Sequence, residues 1–310
     1  MPRRQEAGLA CQRRIVKEAT VPSYRADGHL QALPVTELML HFDGDALPDE
    51  HLRRLYAQSL AAMAGPLTHF RTDPMTRSRP KPDLADDVAQ AWTESLAEDR
   101  WALHAELTSG ESPETVGPWS IRWHVPGQWQ RQGVAALRLT WPVEFGLQRS
   151  PELERVFAGL AAVLPGAWGS AGFGIEYDTR ATSSDRDRAI RAWCGRFRGL
   201  VHRDFDDVLW SEAPSFTSAS WLNLLPAEWN LEGNAHGLDT AAEPASAFSQ
   251  RFVKTAPQPT LGDRNRRDDV SGMAALQAQI RDYLTTPEQL PAGFDEDVFL
   301  MWLDRFDPRS

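Results

Sequence analysis

Three stretches of this chain alternate apolar and polar side chains with a period of two, a period that fits β-strands and not helices. PVTELMLHF (34–42) puts Leu38, Leu40 and Phe42 on one face and Glu37, Met39 and His41 on the other. PWSIRWHVP (118–126) puts Trp119, Ile121, Trp123 and Val125 opposite Ser120, Arg122 and His124. VAALRLTWPVEF (134–145) aligns Leu137, Leu139 and Trp141. With WALHAELTS (101–109), the last two read as an antiparallel meander. GSAGFGIEYD (169–178) is a glycine-rich strand, SASWLNLL (218–225) is extended, and SAFSQRFVKT (246–255) is a late strand.

Between them lie helical periods. Residues 49–65 place Leu52, Leu55, Tyr56, Leu60 and Met63 at helical spacing, and Gly65-Pro66 stops the run. A second amphipathic helix is expected near 84–98. Ser150-Pro151 reads as a Ser N-cap with Pro at the first helical position, opening a helix to about Val163. Further helices are expected over 183–199, over 269–285 on Met273, Leu276, Ile280 and Leu284, and over 295–306 on Val298, Met301, Trp302 and Phe306. Meanders interrupt the alternation of strand and helix, so the fold expected is α+β: a mixed/antiparallel sheet with a meander and packed amphipathic helices. Residues 1–32 lack sustained periodicity and read as a flexible basic arm, with 33–310 a single α+β domain.

The chain has 310 residues, 42% of them apolar, enough for a sizeable core, and no apolar run reaches membrane-span length. The first residues show no secretory signal, so the expected compartment is the cytoplasm. The net charge of −10 is uneven. Residues 1–25 carry six basic and two acidic side chains, leaving 27 basic against 41 acidic, or −14, for the rest. Such a body repels nucleic acid and suits a basic protein partner. Cys11 and Cys194 are too far apart in context to imply a disulfide.

Catalytic patterns are incomplete. Gly169, Gly172 and Gly174 precede a strand rather than a helix, the wrong setting for a dinucleotide. There is no phosphate loop, no nucleophile elbow and no zinc spacing. His41-x-Asp43-x-Asp45 offers three metal-ligand types, but a calcium loop begun at Asp43 would need Glu where Arg54 stands. Asp204, Asp206 and Asp207 cluster beside Trp210 without a catalytic lysine in reach; they supply charge and an aromatic anchor for a partner. Asp268 and Asp269 precede a helix and are expected to cap it.

Three blocks carry a family likeness: SWLNLL (220–225), LGDRNRRDDVSGMAALQAQI (261–280) and FDEDVFLMWLDRFD (294–307). With HFDGDALPDEHLRRLYAQSL and GSAGFGIEYD, they resemble the type VI immunity family over residues 34–307. The resemblance implies a non-enzymatic protein without cofactor or metal that binds and neutralises a toxin delivered by a type VI secretion machine. Absence of a signal and the acidic body point to a cytoplasmic nuclease as the toxin, its active or substrate-binding surface covered by contacts that include Asp204, Asp206, Asp207 and Trp210. Direct nucleic-acid or membrane binding is not expected. The alternatives are a metal-dependent hydrolase around His41, Asp43 and Asp45, an immunity enzyme that reverses toxin damage, or an assembly protein.

Overall fold

The computed structural model describes residues 22–43, 49–71, 79–80, 102–112, 115–126, 134–164, 166–179, 183–205, 216–226, 229, 250–284 and 290–307. The strands in chain order are β1 (Tyr24–Ala26), β2 (His29–Asp43), β3 (His69–Arg71), β4 (Arg79–Pro80), β5 (Ala102–Thr108), β6 (Ser120–Pro126), β7 (Val134–Trp141) and β8 (Trp168–Tyr177); β2, β5, β6, β7 and β8 fold from the stretches expected to be strands, while β1, β3 and β4 were not expected. Later come β9 (Leu200–Val201), β10 (Leu222–Pro226) and β11 (Gln250–Lys254). They form one sheet in the order β11-β10-β8-β2-β7-β6-β5-β3-β4, with β1 on β2 and the short β9 parallel to β8. The helices are α1 (Asp49–Ala61), α2 (Val143–Gln148), α3 (Ser150–Ala161), α4 (Ser184–Arg196), α5 (Ser271–Ile280) and α6 (Glu296–Leu303).

Alternation decides the layers. The apolar face of β2, β6 and β7 presents Leu38, Leu40, Phe42, Ile121, Trp123, Leu137, Leu139 and Trp141 to one core cluster. Leu55 and Tyr56 of α1 and Leu153, Phe157 and Leu160 of α3 close over it. The Trp141 indole, fully buried, donates to the Ala62 carbonyl at 3.1 Å, so burying that ring leaves no polar atom unpaired. A second cluster joins Phe173, Ile175 and Tyr177 of β8 to Ile190 and Trp193 of α4 and Phe299 and Trp302 of α6.

Several expectations shift. The sheet begins before residue 33. Asp27 and Gly28 both take positive φ, 52° and 81°, and turn β1 into β2. Two successive positive-φ residues of the Asp-Gly type make the hairpin turn that matches strand twist. Residues 24–32 therefore pair in the sheet instead of belonging to an arm. The strand read over 134–145 ends at Trp141; Pro142 cannot donate to the ladder, and α2 starts after it. Ser150 lies inside α3, and Arg149 is the boundary residue without a side-chain cap, because α2 and α3 meet there. In α6, Met301 does not join the core: Phe299 and Trp302 are buried, while Met301 is 64% exposed. The expected helix near 84–98 lies outside the described residues.

Candidate functional site

The polar face of the same strands is also buried, and it holds a line of opposite charges. Arg71 stands across from Glu106, and Glu106 across from Arg122. Opposite charges in register attract, but the next pair across is Arg122 and Arg138, two like charges that repel. Glu176 of β8 resolves this by pairing with both: it touches Arg122 and accepts from Arg138 at 2.5 Å. Arg138 also donates to Glu37 at 2.7 Å, and Arg203, from the loop after β9, donates to the other Glu37 oxygen at 2.6 and 2.8 Å. Among the described residues the series runs Arg71, Glu106, Arg122, Glu176, Arg138, Glu37, Arg203, with each carboxylate between two guanidiniums.

Room for this line is built into the backbone. Gly174 lies on the same face, and a Cβ there would sit 2.6 Å from the Glu37 carboxylate oxygen. Burial pushes the Glu37 carboxyl up, but Arg203 and Arg138 outweigh it and hold its pKa below the ordinary value. Burial likewise opposes ionisation of Glu106, and Arg122 and Arg71 bring its pKa down to about 2. These acids stay ionised and occupied, so they are poorly placed to act as proton donors or as metal ligands.

The same loop covers part of this face. Phe205 packs on Met39 and Ala136, two residues beyond the Arg203 clamp. Asp204 between them is half-buried and engaged with a partner. Asp206, Asp207 and Trp210 lie outside the described residues. The opening of the acidic run is thus anchored on the sheet, not a freely solvated turn.

His41 is fully buried, its ring stacked on Trp168 at 5.7 Å, and neither ring nitrogen has a hydrogen-bond partner among the described residues. Burial and the nearby Arg203 charge push its pKa down to about 3. Asp43 is exposed at the end of β2, and Asp45 lies outside the described residues. Among the described residues no three His, Cys, Asp or Glu side chains converge in a metal-binding group. Cys194 is buried in α4, where desolvation raises its thiol to about 12.

The LGDRNRRDD block proves to be a tie between elements. Asp263 is buried, accepts from the Asn265 amide at 2.9 Å and binds Arg196 of α4 at 2.8 Å. Asp268 turns inward to accept from the Asp263 amide at 3.0 Å, while Asp269 alone meets the start of α5, accepting from Ser271 at 2.9 Å. In the closing block, the buried Arg305 guanidinium donates to the carbonyls of Arg198 and Trp302 and to Ser218 Oγ, with the Trp302 ring 3.9 Å away. Burial lowers its pKa to about 9.

Those ties fix α6 beside α5 and leave a groove of about 530 Å³ between them. Ala274, Ala278 and Leu284 line one side, and Leu300, Leu303 and Phe306 the other. Gln277 spans its floor, accepting from the Ala219 amide and donating to the Leu303 carbonyl. An Arg281–Asp304 pair at 2.9 Å bridges the rim. Leu300 and Met301, 48% and 64% exposed, are the exposed large apolar side chains among the described residues. Helical periodicity over 295–306 marked Met301 as core and passed over Leu300, because Phe299 takes the inward position.

Comparison with known proteins gives a consistent result. The Pseudomonas aeruginosa T6SS protein PA0821 has a similar structure, with a TM-score of 0.73 at 15% identity over 97% of this chain and 91% of that one. At that identity the likeness concerns the fold. No curated protein sequence matches. The family TsiV, described as type VI immunity for VRR-NUC, matches residues 60–290, most of the chain, including the meander, the glycine-rich strand and the LGDRNRRDD block. The chain is a member of the TsiV family of type VI immunity proteins.

Proposed function

We propose that this protein binds a VRR-NUC nuclease toxin in the cytoplasm and neutralises it by covering its active or substrate-binding surface, without catalysis. The family match over residues 60–290 carries this reading. Two physical observations support it. The carboxylates gathered on the sheet's polar face are each clamped by two arginines, which suits a rigid scaffold better than an acid–base centre. The chain's net charge of −10 complements the positive surface that a nuclease presents to phosphate. Among the described residues no helix is long and apolar enough to cross a membrane.

Asp204, Asp206, Asp207 and Trp210 remain the proposed acidic contact. Arg203 and Phe205 seat the start of that run on the sheet. Co-purification with the cognate VRR-NUC effector tests the reading. A complex whose affinity falls with salt is expected. Replacing the three aspartates by Asn should weaken it by about 2–5 kcal/mol if they meet buried cations. No complex with that effector would contradict the reading.

A further inference from the structure

We propose that the outer face of α6, together with the α5–α6 groove, is a docking surface for the basic face of the toxin, with an apolar toxin side chain seated in the groove. This rests on the reading of the chain as a toxin-binding protein and names where binding occurs. The exposed positions of α6 are Glu296, Asp297, Leu300 and Met301, with half-buried Asp304 following. Their spacing (i, i+1, i+4, i+5, i+8) puts them along one side of the helix. The pattern is an apolar pair bracketed by carboxylates.

Half of that pattern has a local cause. Acids in the first turn of a helix are favoured by its dipole, and Asp295 caps the helix by accepting from the Val298 amide. The helix gains nothing comparable from exposing Leu300 and Met301 while Phe299 and Trp302 fill the core behind them. Exposed apolar side chains beside a concave apolar groove are what a protein partner buries at the centre of an interface. The surrounding charge selects the partner's sign. Among the described residues Glu296 and Asp297 make no ion pair, and the rim cation Arg281 is already taken by Asp304. A surface with the Glu296 and Asp297 carboxylates beside an apolar centre matches a basic surface carrying an apolar side chain. A nuclease's phosphate-binding face has that sign of charge.

The test measures the affinity of the full chain for a catalytically inactive form of the cognate VRR-NUC effector, at low and high salt. Leu300→Ser with Met301→Ser should weaken binding roughly 10- to 100-fold with an unchanged urea midpoint, as both side chains point outward. Glu296→Gln with Asp297→Asn should weaken binding and flatten its salt dependence. Leu300→Ala, the mildest change, guards against a folding defect in the double variant and should show a smaller loss in the same direction. Wild-type affinity in the apolar double variant would overturn the docking surface while leaving the toxin-binding reading intact. So would an effect confined to self-association of the chain. Failure of the unaltered chain to bind the effector would overturn both.

Discussion

Glu37→Gln should be among the most damaging single changes in this fold. The side chain is 2% exposed and accepts from Arg138 at 2.7 Å and from Arg203 at 2.6 and 2.8 Å. Gln has the same shape but no charge. Its amide oxygen can still accept from one guanidinium, but Arg203, which also donates to Ser170 Oγ at 3.1 Å, and Arg138, which keeps Glu176 and the Ile175 carbonyl, would both lose the Glu37 counter-charge. Breaking one side of a buried pair costs about 3–5 kcal/mol because an uncompensated charge stays behind. At a urea slope near 3 kcal/mol per M, expected for a chain of this size, the midpoint falls by about 1 to 1.7 M. Tryptophan fluorescence during urea unfolding reads it directly. Glu37→Leu with Arg203→Met removes one charge of each sign and leaves the net charge of the line unchanged. It should recover much of the loss, since replacing a whole buried pair by apolar groups is often near neutral. A cost below about 1 kcal/mol for Glu37→Gln, or a double variant no better than the single, would refute the account of the charge line.

Three further outcomes follow from the same geometry. His41 and His202 are buried neutral, with pKa values lowered to about 3 and about 4, so below pH 6.5 the unfolded chain takes up protons that the folded one refuses. Stability should therefore fall as pH drops from about 6.5, and fall further below about 4.5 as Glu37 and Glu106, both lowered in the fold, lose their advantage; a urea midpoint constant from pH 7 to pH 5 would contradict this. Gly174→Ala would press a methyl group against the Glu37 carboxylate and should cost about 1–3 kcal/mol in urea unfolding. Arg305→Lys keeps the charge but not the planar fork that reaches three acceptors on three segments, so about 2–3 kcal/mol should be lost.

What the sequence made legible follows from how local each signal is. Strict alternation at Leu38, Leu40, Ile121, Trp123, Leu137 and Leu139 identified both the strands and their core face, because period two is a property of neighbours in the chain. It also put Glu37 and Arg122 together on the opposite face of their strands. It could not show that this face is buried too, or that Glu176 and Arg203 complete the line, since those partners come from strands and loops up to 166 residues away. The Asp27-Gly28 turn was readable and was passed over because the strand before it has only three residues. The outward position of Met301 was not readable, because Phe299, Met301 and Trp302 are all apolar, and only the placement of α6 against β8 and α4 decides which of them turns inward.

The central claim is that protection comes from stoichiometric capture of the toxin. Titrating the purified chain into a fixed amount of active VRR-NUC effector, with cleavage of a DNA substrate as the readout, tests it most directly. The account predicts that cleavage falls linearly and stops at one equivalent of the chain per toxin, independent of incubation time. Loss of cleavage at a small fraction of an equivalent, deepening with time, would mean that the chain acts as a catalyst and would contradict the account.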